Sequence, residues 1–392
     1  MPSNPFPGVS EMRSQLLAVV MLVGLAVGLA ACGGGGGGSS QTTAPPPEPN
    51  EPNQPNEPNE PNTQEVFSTL EPTLDDFRAD DYVFILGDAS GRLYTYTKGD
   101  ATETEVRLVA SFSKWLTSAV IMSLVNDGVL ALSDNPQSYI PWWTNDPADP
   151  RSQITIEQLL SFTSGFSVTE DDDTCVRDED MTLESCAMEL YQIGITAAPG
   201  TEFNYGPAHL QIVAYIAEQA AGQRFADLFT MLVAQPLGMT NTNVLTDTDN
   251  PYISGGFRST VADTERFIRA IMTGNFLAAQ RDTWDADRTG PPVTLGNAPP
   301  GLTVGDLEWR YALGHWRECE TADFDADCAD TTVVSSPGAL GWDPWIDYDN
   351  GYYAVVAWQA EGADILTLPG VASIELGYDL RPLIEEGLNS LR

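Results

Sequence analysis

The chain has 392 residues, with 56 acidic side chains against 18 lysines and arginines, and a formal net charge of −38 at pH 7. The acidic residues are spread along the chain rather than gathered in a tail, so the surface repels nucleic acid and anionic lipid and speaks against a nucleic-acid partner. Residues 73–392 are enough for one large domain, or two interlocked ones, with a sizeable core.

From Leu16 to Ala31 the sequence is almost uninterrupted apolar residues, the length of a secretory h-region and short for a spanning helix. It ends in Leu29-Ala30-Ala31-Cys32, which resembles a bacterial lipobox, in which the cysteine is acylated and the chain is cut before it. The expectation is a lipoprotein signal peptide over 1–31 and an exported protein anchored through Cys32 in the bacterial cell envelope, at the outer membrane. An ordinary secretory signal with an incidental cysteine is the alternative. Six glycines and two serines (33–40) follow, then Glu-Pro-Asn at 48–50, 51–53, 57–59 and 60–62. Flexible glycines and extended proline repeats make 32–72 a linker.

Tyr82–Asp88 and Arg92–Tyr96 alternate as a β-hairpin about Asp88–Gly91. Helical periodicity then appears at 111–126, 155–162, 207–221, 224–234 and 261–272, broken by Gly and Pro-Gly signals. Strand patterns return at Tyr352–Trp358 and Ile365–Leu368. Strands from both chain ends with helices between predict an α+β fold: an antiparallel sheet closed by its own termini and flanked by helices, with a helical subdomain inserted at about 111–300.

The chain has two lysines, Lys98 and Lys114, and Lys114 stands three residues after Ser111 where a helical pattern begins. Residues three apart share a helix face, so Ser111 Oγ and Lys114 Nζ can come within hydrogen-bond reach as a nucleophile and its base. The plain alternative is that Ser111 caps the helix and Lys114 is solvated on its first turn. A lysine there meets the positive end of the helix dipole, where an acidic residue is preferred, and that unfavourable placement points to use.

Beyond Cys32 four cysteines remain, Cys175, Cys186, Cys319 and Cys328. In an exported chain two close pairs suggest disulfides 175–186 and 319–328, the nearest-neighbour choice among three connectivities. A zinc site would need tighter spacing and nearby histidines. His209 and His315 are the only histidines, and no serine stands in a G-x-S-x-G elbow, so a Ser-His-Asp triad of the α/β-hydrolase kind has little support. His209 is read as a helical residue satisfied locally, and His315 likewise as structural. The acidic run Asp323, Asp325, Asp327, Asp330 lacks the glycine and distal glutamate of a calcium loop and reads as a solvated loop, so no metal is expected.

Several stretches, in order, resemble the serine β-lactamase and penicillin-binding-protein superfamily, in its class C-like branch with DD-peptidases and family VIII carboxylesterases. They are Ala110–Pro136 around S-x-x-K, Ile154–Gly165, Pro199–Tyr205, Gln235–Met239 and Gly255–Thr260. The resemblance implies a β-lactamase/transpeptidase-like fold over 73–392 and an acyl-enzyme on Ser111. The superfamily's Tyr-x-Asn falls at Tyr205-Gly206-Pro207, so the tyrosine carries over and the asparagine does not. A phenol beside an ammonium yields its proton more readily, which makes Tyr205 a candidate general base with Lys114.

The third motif, Lys or His, then Thr, then Gly on an edge strand, corresponds to Ser336-Pro337-Gly338. The substrate-attracting cation is replaced by a hydroxyl, while Gly338 still permits close backbone approach. The N–H groups of Ser111 and Ala339 are then the expected oxyanion donors. These departures favour carboxylic esters of modest size, or amides, as small-molecule acyl substrates, with no organic cofactor and only a lipid anchor as membrane contact. The alternatives are a β-lactamase or DD-peptidase, and a non-catalytic envelope binding protein.

Overall fold

The computed structural model of the protein describes residues 62–169, 172, 174–244, 248–298, 309–319, 331–361 and 368–392. The signal-like segment, Cys32, the tether through residue 61, the Asp323–Asp330 run, Cys328 and most of the strand expected at Ile365–Leu368 lie outside these residues. Leu368 itself directly precedes a helix.

Strand β1 (Tyr82–Asp88) alternates apolar side chains on both faces, and that double burial makes it central to a sheet rather than an edge. It pairs antiparallel with β2 (Arg92–Lys98) on one side and, from the far end of the chain, with β7 (Tyr352–Ala357) on the other, Val83 opposite Ala357 and Asp88 opposite Tyr352. The sheet continues through β6 (Asp343–Asp347), β5 (Val333–Ser335), β4 (Trp316–Arg317) and β3 (Arg310–Tyr311), all antiparallel, in the order β2-β1-β7-β6-β5-β4-β3. Both chain ends thus build one sheet, as the pattern of strands predicts.

One face, with Val83, Ile85, Val355 and Ala357, packs into the larger core shared with helices α1 (Phe112–Asn126), α2 (Leu183–Ile193), α3 (Ala208–Ala221) and α4 (Val261–Met272). The other face, with Tyr82, Phe84, Leu86 and Trp345, is covered by helix α5 (Pro369–Leu391). That helix escaped the sequence reading because it carries Gly370, Gly377, Gly387 and Pro382, residues of low helical propensity. Tertiary packing overrides propensity: Leu376, Leu380 and Ile384 are buried against the sheet.

The expected linker boundary at residue 72 is wrong in one respect. Residues Thr63–Val66, Phe67–Leu70 and Glu71–Asp76 are already helical. Phe67, Leu70 and Leu74 recur at helical spacing and are fully buried beneath α5, each worth roughly 1.5–3 kcal/mol, which pins a segment whose composition continues the tether.

Helix α1 is the structural centre. Nearly every residue from Phe112 to Leu124 is buried, so it is enclosed rather than amphipathic, and its serine and threonine hydroxyls find partners. Ser118 Oγ donates to Leu313 O at 2.5 Å and Thr117 Oγ1 to Ile253 O at 3.1 Å. Gly128, left-handed at φ +71°, ends it as the Asn-Asp-Gly signal predicts.

Candidate active site

The chain enters α1 from a fixed position. Arg107–Leu108 pairs with Arg258–Ser259, and the Val109 N–H donates to Phe257 O at 3.0 Å. Ala110 is left-handed at φ +46°, a strained conformation for alanine, and it turns the backbone so that Ser111 stands at the helix N-cap. The Ser111 hydroxyl makes no capping hydrogen bond, and Lys114 is 1% exposed rather than solvated. Lys114 Nζ instead donates to Ser111 Oγ at 3.1 Å and to Ser254 O at 2.9 Å, and lies 4.7 Å from the centre of the Tyr205 ring. A carbonyl and an aromatic face offset the cost of burying an ammonium at the positive end of a helix.

Tyr205 reaches this pair from a separate element. Glu202–Asn204 pairs in parallel with Thr294–Asn297, and Asn297 holds the tyrosine backbone on both sides. The Tyr205 N–H donates to Asn297 O, and Asn297 Nδ2 donates to Tyr205 O, each at 2.9 Å. At Gly206 a Cβ would sit 1.9 Å from Val168 O, so only glycine allows the chain through. Trp316 stacks on the Tyr205 ring at 5.4 Å and 19°, and Phe162 meets it edge-on at 5.2 Å. Pro207 stands at the N-cap of α3 and brings no side-chain donor.

The 336–339 segment closes the third side. Ser336 Oγ donates to Ser111 O at 3.2 Å, and a Cβ at Gly338 would lie 2.4 Å from Val109 O, so the two backbones touch. Gly338 N–H donates to Trp342 O at 2.6 Å. Among the described residues no acceptor takes the N–H of Ser111 or of Ala339, and Ala339 is exposed. The edge-strand placement needs correction: β5 is interior, with Ser335 opposite both Trp345 and Trp316. The outer strands β4 and β3 are two residues each, too short to read as strands from sequence.

The remaining sequence candidates lie elsewhere. His209 is fully buried, its Nδ1 2.8 Å from Ser164 Oγ and its Nε2 2.8 Å from Asn204 O. Burial pushes its imidazole down to about 4, so it is neutral and structural. His315 is buried under α1, stacked on Trp115 at 4.9 Å with Nε2 3.0 Å from Asp285. Cys175 and Cys186 form a disulfide with Cα atoms 5.2 Å apart. Cys319 is also disulfide-bonded, and its expected partner Cys328 is outside the described residues.

Sequence reading missed Ser254, Asn297 and Trp316, because each acts through a backbone group, on a backbone group or by a ring face rather than through a motif. The one available signal was position: Ser254 precedes the Gly255-Gly256 stretch, and Trp316 closes Leu313-Gly314-His315-Trp316.

An antiparallel sheet from both chain ends, covered on both faces by helices and bordered by a half-buried serine hydrogen-bonded to a buried lysine, defines an α+β fold of the serine-hydrolase class. The chain belongs to the β-lactamase family, whose sequence profile matches residues 82–364. Among solved structures it is similar to a candidate β-lactamase from Bacteroides dorei DSM 17855, with 26% identity, coverage of 83% of this chain and 98% of the other, and a TM-score of 0.68. EstCE1, a hydrolase with promiscuous acyltransferase activity, is 19% identical, with coverage of 80% and 98% and a TM-score of 0.60. The D-alanyl-D-alanine-carboxypeptidase/endopeptidase AmpH of Escherichia coli (strain K12) is 24% identical over 189 residues, 43% of this chain and 49% of AmpH. The chain spans half or less of the length of such curated relatives.

Proposed function

We propose that this protein hydrolyses carboxylic esters of modest size through an acyl-enzyme on Ser111. The observation that carries the reading is the buried amine of Lys114 at 3.1 Å from Ser111 Oγ. In the resting state the ammonium donates to the hydroxyl. For attack, either Lys114 or Tyr205 first gives one proton to bulk water; the Ser111 proton then passes to the neutral Lys114 amine, or through the ammonium to the Tyr205 phenolate, while Oγ bonds to the substrate carbonyl carbon. The carbonyl oxygen takes up negative charge and is met by the N–H groups of Ser111 and Ala339. Collapse breaks the ester C–O bond, the alcohol leaves with the proton, and water then attacks the acyl-enzyme by the same proton route to release the acid.

Two side chains favour esters over lactams and peptides. Pro207 supplies no amide to read a substrate N–H, and Ser336 replaces a cation with a hydroxyl already committed to Ser111 O. The likeness to AmpH supports a second reading, a peptidase of D-alanyl peptides. Intact-mass labelling with a fluorophosphonate, together with p-nitrophenyl ester turnover, tests the proposal. One adduct per chain and ester hydrolysis, both lost in Ser111→Ala, are expected; no adduct on the folded wild type overturns it. Hydrolysis of D-Ala-D-Ala peptides without ester turnover selects the peptidase.

The same proposal places the enzyme outside the cytoplasm, tethered by lipid on Cys32. The lipobox-like Leu29–Cys32 and the Cys175–Cys186 disulfide support it, since disulfides persist in oxidising compartments. No helix among the described residues is long and apolar enough to cross a membrane. Incorporation of labelled palmitate that persists in Cys32→Ser would refute the anchor.

A further inference from the structure

The Lys114 amine is held by the Ser254 carbonyl, and that carbonyl belongs to a segment gripped at every peptide. Over residues 251–254 each backbone oxygen accepts a hydrogen bond. Gln211 Nε2 donates to Pro251 O at 3.0 Å, and the Gly256 N–H to Tyr252 O at 2.8 Å. Thr117 Oγ1 donates to Ile253 O at 3.1 Å, and Lys114 Nζ to Ser254 O at 2.9 Å. Thr117 and Lys114 both belong to α1, while Gln211, fully buried, holds the segment's backbone from α3 and Arg177 meets the Tyr252 side chain.

Gln211 does not act alone. Its Nε2 also donates to Asn250 Oδ1 at 2.8 Å, and its Oε1 accepts from the Ile253 N–H at 3.4 Å. Asn250, 1% exposed, turns its Nδ2 to Cys175 O at 2.8 Å and Asp178 O at 2.9 Å, beside the Cys175–Cys186 disulfide. A buried side-chain amide costs stability unless its hydrogen bonds are made, and here Gln211 is spent on the 251–253 backbone and is itself held by Asn250, whose amide N–H groups tie it to Cys175 and Asp178. Apolar side chains of the same shape would fill the space but leave the Pro251, Cys175 and Asp178 carbonyls without these donors.

We infer that Gln211 and Asn250 are positioning residues that set the Lys114 amine against Ser111 through the Ser254 carbonyl. The inference rests on the proposed role of Lys114 in activating Ser111. The Ser254 carbonyl is one of the amine's partners, and displacing it by a fraction of an ångström changes the distance from the amine to Ser111 Oγ. A misplacement of about 1 Å in a catalytic group can cost about 100-fold in rate.

A double-mutant cycle on the full chain separates this role from a structural one. The readout is the rate of Ser111 phosphonylation by a fluorophosphonate, followed by intact mass, on protein of verified fold. Gln211→Met keeps the shape and removes the amide; the expected loss is about 10- to 100-fold in the wild-type background and under about twofold in Lys114→Ala. Asn250→Asp, which keeps the acceptor for Gln211 and removes the donors to Cys175 and Asp178, should follow the same pattern and serves if Gln211→Met does not fold. Equal losses in both backgrounds, or a loss under about threefold in the wild-type background, overturn the inference. Failure of the wild type to label at Ser111 would instead refute the proposed function itself.

Discussion

Gly338→Ala is a single-methyl test of the oxyanion geometry. The added Cβ would stand 2.4 Å from Val109 O, where real Cβ atoms essentially never come closer than 3.0 Å. The two segments must part by about 0.6 Å or more, a displacement on the scale that costs catalysis heavily. Neither side can yield harmlessly. Val109 precedes Ser111 by two residues and is tied by its N–H to Phe257, so moving it shifts the proposed nucleophile, while moving 338 shifts the Ala339 N–H. Loss of one oxyanion donor raises the barrier by about 2.7–4 kcal/mol, and the expected fall in kcat is therefore about 100- to 1000-fold. The assay is steady-state p-nitrophenyl ester hydrolysis normalised to the fraction of chains that fluorophosphonate labels, with thermal unfolding to confirm the fold. A kcat within about threefold of wild type would show that Ala339 is not an oxyanion donor.

Lys114→Ala and Tyr205→Phe should each lower kcat by about 100- to 10,000-fold while the protein stays folded; an unchanged rate in Tyr205→Phe would remove the phenol from the proton route. His209, held neutral by burial with its pKa at about 4, gains a proton in the unfolded chain below its ordinary value near 6.5 but not in the folded one. Its contribution to stability is therefore lost as pH falls from about 6.5 toward about 4, and the stability difference between wild type and His209→Gln should change by about 2 kcal/mol between pH 7 and pH 5. Urea midpoints with a pH-independent difference would contradict that assignment. Arg381 on α5 is ion-paired with Glu318 beside β4, both almost fully buried, and burial pushes the neighbouring Asp343 carboxyl well above its usual range. Arg381→Met leaves Glu318 without this partner and should destabilise by about 3–5 kcal/mol in chemical unfolding; a change under about 1 kcal/mol would mean that Glu318 takes up a proton or finds water.

Local signals were enough for part of this molecule. The apolar alternation of Tyr82–Asp88, the periodicity of 111–126 and 261–272, and the stop at Asn126-Asp127-Gly128 are short-range properties, and they appear in the fold much as the chain spells them. The S-x-x-K spacing likewise needs only one helical turn to bring Ser111 and Lys114 together. Tertiary structure decided the rest. Residues 63–76 and 369–391 are helical because each covers apolar surface that the other and the sheet expose, so neither reads as a helix in isolation. The approach of Tyr205 to Lys114, of Ser336 to Ser111, and of Gln211 to the 250–254 segment joins residues 39 to 225 positions apart. No local pattern encodes such pairings. They arise when burying the two faces of one sheet forces the chain's separate elements onto a common centre.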